Sequence, residues 1–187
     1  MQFVNIAKAQ ITQTLLTTLL ERGGYRVTKL GIEELFGEIK YLDLPSYMSL
    51  NLPLQLRYLP DLLVSDKGTK KAYMVEVKFR KQFDEISAKN LYDELTDQRK
   101  YWSQSYAVIM IADPMWTDGK FHQDYIRIVK PDQTDCLIDN KLSVGIRWDR
   151  LAQIYHVFRD LNDGTLLHNA DSITPALKQL ANLVEKF

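Results

Sequence analysis

The chain has 187 residues, of which 45% are hydrophobic and 26% charged, and its 24 basic residues balance its 24 acidic ones. These values fit one folded domain and exclude a disordered, collagen-like or disulfide-scaffold protein. The zero net charge also means that any phosphate-binding surface has to come from local clustering of basic residues. The single Cys136 cannot form a disulfide within the chain, and no pairing of cysteine with histidine predicts a zinc site.

The N-terminal segment, residues 2–22, carries polar residues every few positions and lacks the basic start of a signal peptide. No stretch of the sequence approaches the ~18 apolar residues of a membrane span. We therefore expect a cytoplasmic protein with no membrane partner. The segment predicts an amphipathic helix that stops at Gly23-Gly24. Its expected apolar face carries Val4, Ile11, Leu15 and Leu19.

The next part of the chain predicts strands and short connections. Residues 25–30 alternate as a strand does, and residues 33–39 are typical of a short helix. Residues 41–58 fit neither the helical nor the strand period, so we expect an ordered, irregular connection there. Two alternating apolar runs, residues 61–65 and 72–79, flank a polar turn and predict a β-hairpin.

Helix-forming residues then dominate from about 84 to 104, where one stripe carries Leu91, Leu95, Gln98 and Trp102. Further strands are expected at 106–111, 125–129 and 142–146, and helices around 151–158 and 175–185.

This order of elements predicts an α/β fold in which helices flank a mixed central β-sheet. We expect a single domain with its core at about residues 1–146. A helical C-terminal extension is expected at about residues 147–187.

A charged pair interrupts the second strand of the predicted hairpin. Glu76 and Lys78 are two residues apart, so both point to one face of the sheet. Buried charges need a partner, a metal ion or a water-filled cleft. If the hairpin strands pair across the turn, Asp61 lies beside both residues. The opposite face of the strand carries Tyr73, Val75, Val77 and Phe79.

Two carboxylates and a strand carbonyl suit a hard cation such as Mg²⁺, and an adjacent ammonium can hold or deprotonate an attacking water. These are the groups needed for phosphodiester hydrolysis. A simpler interpretation makes Asp61 the start of a strand, with Glu76 and Lys78 as a solvated pair on an edge strand.

Pro60-Asp61, followed by Glu76-Val77-Lys78, resembles the motif of the PD-(D/E)xK nuclease superfamily. The resemblance covers about residues 25–112 and implies a restriction-endonuclease-like core, with a mixed sheet flanked by helices. It also implies that Asp61, Glu76 and the Val77 carbonyl bind Mg²⁺ or Mn²⁺ and that Lys78 serves the attacking water.

Many members of that superfamily add an acidic residue from an upstream helix. Here the resemblance points to Glu33 or Glu34, of which we prefer Glu33; both also fit the ordinary preference for acids in a first helical turn. A branch related to bacterial recombination exonucleases carries Gln and, four residues later, Tyr. This chain has Gln98 and Trp102, so the aromatic residue differs. Gln98 needs a hydrogen-bond partner, for which we expect a bound phosphate or Lys78.

Basic residues cluster in sequence around the proposed site and predict contacts with a nucleic-acid backbone, although charge runs are more often solvated faces. The residues selected for DNA binding are Lys70, Lys71, Arg80, Lys81 and Arg99.

The function that these features favour is a Mg²⁺-dependent DNA nuclease, most naturally an endonuclease. One alternative is a catalytically silent nuclease-like module that binds DNA or serves in assembly, and another is an RNA-cleaving nuclease. DNA is the expected partner, and the apolar C-terminal segment leaves a homodimer open.

Overall fold

The computed structural model describes residues 2–112, 125–138, 148 and 150–162. Over these residues the chain forms a six-stranded mixed sheet whose strands follow one another in chain order. Helices pack on both faces of the sheet. The predicted class, an α/β fold with a mixed sheet flanked by helices, is therefore confirmed.

The described helices and strands have the following bounds. The α-helices are α1 (Gln2–Arg22), α2 (Ile32–Leu35), α3 (Leu44–Ser49), α4 (Leu54–Arg57) and α5 (Glu85–Arg99). The strands are β1 (Arg26–Lys29), β2 (Leu62–Ser65), β3 (Ala72–Arg80), β4 (Tyr106–Ile111), β5 (Ile126–Val129) and β6 (Ala152–Gln153). Short 3₁₀ helices lie at Ile39–Tyr41, Thr134–Leu137, Ile154–His156 and Arg159–Asn162.

The sheet is antiparallel except where β3 pairs with β4 in parallel. Helix α5 makes that crossover, as a parallel connection requires. The predicted hairpin is confirmed, with Leu62 opposite Val75 and Ser65 opposite Ala72. In its turn, Oδ1 of Asp66 accepts hydrogen bonds from the backbone amides of Gly68 and Thr69.

Two apolar clusters form the core, one on each side of the sheet. The first joins α1 to β2, β3 and the alternate residues of β4 and β5. The second packs α5 against the other face of β4 and against Trp148 and Leu151. The first cluster takes up the apolar face predicted for β3, namely Tyr73, Val75, Val77 and Phe79. Glu76 and Lys78 therefore face α5.

Helix α1 ends as predicted, because Gly24 adopts a φ of +83°, which favours glycine. Its buried face agrees with the predicted one at Leu19 and differs elsewhere, and the side chain of the predicted Val4 lies outside the described part of the structure. Ile11 is exposed and Leu15 is half-buried. The buried residues are Thr12, Leu16, Leu19 and Leu20, and the Thr12 hydroxyl can be buried because it donates to the carbonyl of Lys8.

The segment 41–58 is more regular than its sequence predicted, because it contains α3 and α4. Asp43 caps α3 by accepting a hydrogen bond from the amide of Ser46. Helices of four to six residues are too short to show a 3.6-residue period, and this is why the pattern was missed. Several apolar side chains of this region are exposed, including Tyr41, Leu44, Met48, Leu50 and Leu54.

Two further elements differ from their predictions. Helix α5 ends at Arg99, so Trp102 lies beyond it, and its indole nitrogen donates to the carbonyl of Gln55. Residues 151–158 form β6 and a 3₁₀ helix rather than an α-helix, because β6 pairs with β5. The sheet therefore includes residues of the segment beyond 146, for which the sequence predicts a helical extension.

The strand expected at 142–146 and the helix expected at 175–185 lie outside the described residues. Among the described helices, none is both long enough and apolar enough to cross a membrane.

Candidate active site

Asp61 immediately precedes β2, which begins at Leu62. Pro60 has no backbone N–H and cannot extend the ladder of hydrogen bonds. Because Leu62 pairs with Val75, Asp61 falls opposite Glu76. Its carbonyl accepts a hydrogen bond of 2.7 Å from the amide of Leu30, and its carboxylate accepts one of 2.7 Å from the amide of Val77. The predicted meeting of Asp61 with the Glu76 strand is present in the structure.

Gln13 on α1 is a member of this site that sequence reasoning missed. Its Nε2 donates to Oδ1 of Asp61 at 2.7 Å. Gln13 lies three residues before Leu16 and seven before Leu20, so it belongs to the buried stripe of α1. An amide on a buried stripe was the signal that could have identified it.

Glu76 is the most enclosed charged group of the site, with 9% of the residue exposed. Its Oε2 accepts a hydrogen bond of 2.6 Å from Nε2 of Gln98, and its Oε1 lies 2.9 Å from the ammonium of Lys78. The partner of Gln98 is thus Glu76 and not Lys78, because the Gln98 side chain extends from α5 toward Glu76 on β3. The hydroxyl of Ser105 lies 3.5 Å from the other end of the Gln98 amide.

Lys78 lies between two carboxylates. Besides Glu76, its ammonium contacts Oε2 of Glu94 at 3.2 Å, and Arg80 binds Glu94 through both carboxylate oxygens. Strand β3 is interior, between β2 and β4, so the interpretation as a solvated pair on an edge strand is wrong. Glu94 was not predicted, although it precedes Gln98 by one helical turn on α5.

Burial and the short distances between these charged groups shift the pKa values of Asp61, Lys78 and Glu94. Burial, together with the neighbouring charge of Glu76, raises the pKa of Asp61 to about 8. Burial lowers the pKa of Lys78, but the carboxylates of Glu76 and Glu94 outweigh it and hold that pKa above its ordinary value. Burial likewise raises the pKa of Glu94, and Lys78 and Arg80 outweigh it, so the net shift is downward.

Glu33 and Glu34 occupy the first turn of α2 and point to different neighbours. A Cβ atom built on Gly31 would lie 3.3 Å from Oε2 of Glu33 and 3.8 Å from Oδ1 of Asp61, so these two carboxylates flank the same glycine. Glu34 instead lies 4.0 Å from the ammonium of Lys29. Of the two candidates, Glu33 is the one beside Asp61.

A cavity of about 410 Å³ opens over Glu76 and Lys78. Helix α5 contributes Glu94 and Gln98 to its lining, and the chain around α4 contributes Arg57 and Tyr58. Tyr58 stacks on Tyr101, with ring centroids 5.4 Å apart and planes 11° from parallel. The charged cluster is therefore accessible from one side, over a floor of β3.

The basic residues selected for DNA binding do not gather around this cavity. Lys70 and Lys71 lie in the hairpin turn, so Lys71 is about 17 Å along the strand from Glu76. Arg80 is paired with Glu94, and Lys81 is exposed just beyond β3. The prediction of one basic cluster failed because residues close in sequence lie at the two ends of β3.

Arg99 has a structural role instead. Its guanidinium donates to the carbonyls of Ser105, Val129 and Lys130 and to the hydroxyl of Thr134. These contacts tie the end of α5 to the end of β5.

Among the described residues, no group of three or more His, Cys, Asp or Glu side chains is arranged to hold a metal ion. The charge of Glu76 nevertheless helps to raise the pKa of Asp61, and a cation beside two such carboxylates favours the ionised form of Asp61. Two carboxylates with the Val77 carbonyl suit Mg²⁺, which keeps several of its waters.

Comparisons with protein-family models, with curated proteins and with solved structures found no match for this chain.

Proposed function

We propose that the protein is a Mg²⁺- or Mn²⁺-dependent nuclease of the PD-(D/E)xK type that hydrolyses DNA, most naturally as an endonuclease. One observation carries the proposal: the Asp61 carboxylate accepts a hydrogen bond from the amide of Val77, between Glu76 and Lys78, and these two residues lie 2.9 Å apart in the lining of a cavity. The residues of the motif lie 15 to 17 positions apart, and the hairpin register brings them together.

The roles follow from the contacts. Asp61, Glu76 and the Val77 carbonyl would hold the cation, which stabilises negative charge as it develops on a phosphate oxygen. Lys78 contacts the carboxylate of Glu76 and would orient the attacking water. Gln98 fixes Glu76 from α5, Gln13 fixes Asp61 from α1, and Glu33 stands beside Asp61.

The proposal is tested by incubating the purified chain with plasmid DNA, single-stranded DNA, branched DNA and RNA. Each substrate is offered in Mg²⁺, in Mn²⁺ and in EDTA. Asp61→Asn and Lys78→Met are expected to reduce cleavage by about a hundredfold or more. Asp93→Asn is the matched control, because Asp93 lines the same cavity without an ion pair among the described residues. Equal cutting by all three variants would remove the assigned roles.

One observation favours the alternative of a catalytically silent module in DNA binding or assembly. Both carboxylate oxygens of Asp61 and of Glu76 already have protein donors. Such a cluster can serve as a purely structural network of ion pairs and hydrogen bonds. Absence of cleavage on every DNA and RNA substrate would support this alternative, and cleavage of RNA alone would assign the enzyme to RNA.

A further inference from the structure

Arg57, at the end of α4, is a cation in the cavity wall for which the described part of the chain supplies no acidic partner. It lines the same cavity as Glu76 and Lys78, yet no carboxylate among the described residues forms an ion pair with it. Its Nε is buried and has no hydrogen-bond partner in the part of the chain that the structure describes. A buried donor left without an acceptor is costly and calls for a ligand or another explanation.

The other contacts of Arg57 hold the side chain in place without neutralising it. One terminal nitrogen lies 3.5 Å from Sδ of Met48, which is a weak acceptor, and the guanidinium stands 5.6 Å from the centroid of the Tyr47 ring. Arg80 and Arg99 differ in their terminal nitrogens, which donate to Glu94 and to backbone carbonyls, although the Nε of Arg99 is also buried without a partner among the described residues.

The segment that carries Arg57 is attached to the end of α5 at two points. Trp102 donates from its indole nitrogen to the carbonyl of Gln55 at 3.0 Å, and Tyr58 stacks on Tyr101. Arg57 is therefore presented from an anchored segment, and the stacked tyrosines beside it offer aromatic surface of the kind on which nucleic-acid bases stack.

We propose that Arg57 binds a backbone phosphate of a DNA strand that enters the cavity over Glu76 and Lys78. A planar guanidinium matches the paired oxygens of a phosphate, and Arg57 has the free donors for it. The inference rests on the proposed function for the course of the strand, but binding is measurable without hydrolysis. It also replaces Arg80 and Arg99 as the cation that contacts the nucleic acid near the site.

The test measures the binding of a short fluorescein-labelled DNA strand by anisotropy in EDTA, over a series of salt concentrations. Arg57→Met is expected to weaken binding by roughly tenfold to a hundredfold. It should also reduce the slope of log affinity against log salt by about 0.7, the value for one lost phosphate contact on a single strand. Arg57→Lys keeps the charge but loses the planar guanidinium. Its affinity for the DNA strand should lie between those of the wild type and Arg57→Met.

Arg26→Met is the matched control, because Arg26 is exposed at the end of β1 away from Asp61 and makes the same change in net charge. Thermal unfolding should show that Arg57→Met is no less stable than the wild type, since it removes an unsatisfied donor. Unlabelled RNA, mononucleotide and inorganic phosphate serve as competitors, and the proposal expects a DNA strand to compete far better than either small anion.

Loss of affinity and of salt slope in Arg57→Met, but not in Arg26→Met, supports the proposal even if no substrate is cut; in that case only the proposed hydrolysis fails. Equal binding by the two variants overturns the proposal. No binding of DNA by the wild type at low salt, or equal competition by inorganic phosphate, also overturns it.

Discussion

The ammonium of Lys78 lies 3.2 Å from Oε2 of Glu94, so an ion pair connects β3 to α5. Glu94 is in turn held by Arg80, and one turn further along α5 Gln98 holds Glu76. Both residues of the Glu-x-Lys motif are thus positioned by one helix face.

Replacing Glu94 with Gln removes one of the two anchors of Lys78 and leaves the fold intact. We expect kcat to fall about tenfold with KM nearly unchanged, because the lysine loses its orientation and the substrate contacts remain. Since Glu94 is partly exposed, the loss of stability should stay below about 1 kcal/mol. Steady-state cleavage kinetics test this, with Asp93→Asn as the control; a change mainly in KM would contradict the positioning role.

Replacing Gln98 with Met keeps the side-chain volume but removes the amide that donates to Glu76. The buried carboxylate then lacks one donor, so the free energy of unfolding should fall by about 1.5–3 kcal/mol. Urea denaturation checks the value. Gln104→Met changes an exposed glutamine in the same way and should have little effect. If both variants unfold at the same urea concentration, the contact between Gln98 and Glu76 does not stabilise the fold.

Asp61 gives a prediction for pH, because its pKa is raised to about 8. Between about pH 4, where an unfolded aspartate ionises, and pH 8, the folded state retains a proton that the unfolded state has lost. Wild-type stability in EDTA should therefore fall as pH rises through this window. Asp61→Asn lacks this loss and should unfold a few degrees higher than the wild type at pH 8 and above, with a smaller difference near pH 4.

Differential scanning fluorimetry across this pH range tests the prediction, and Asp93→Asn, at an exposed position of α5, is the comparison. Adding Mg²⁺ should reverse the order at neutral pH, because a bound cation stabilises only the form with the ionised acid pair. If the wild type without metal is at least as stable as Asp61→Asn at every pH in this range, the raised pKa of Asp61 does not lower the stability of the folded protein.

Arg99 should behave as a structural residue. Arg99→Met removes the donor that Arg99 supplies to the carbonyls of Ser105, Val129 and Lys130, so we expect a loss of about 2–3 kcal/mol in the free energy of unfolding. The salt slope of DNA binding should not change at temperatures where the variant is folded. A slope reduced as in Arg57→Met would instead restore the DNA-binding role predicted from the sequence.

Much of the fold was predictable because its signals are local. Alternation over 61–65 and 72–79 and the polar turn between them set the hairpin and its register. The glycines at 23 and 24 ended α1. The predictions failed where the hydrophobic pattern was too short or fitted two structures. Helices α3 and α4 are too short to show a helical period. The spacing of Leu151, Ile154 and Phe158 fits an α-helix, and it also fits a strand followed by a 3₁₀ helix.

The sequence was sufficient to place Asp61, Glu76 and Lys78 together, because side-chain direction along a strand and pairing across a hairpin are fixed by the backbone alone. Only the tertiary structure added Gln13, Glu94 and Arg57 and removed Lys70, Lys71 and Arg99 from the site. Those placements depend on how α1, α4 and α5 pack over the sheet, and that packing is decided by contacts between residues far apart in the chain.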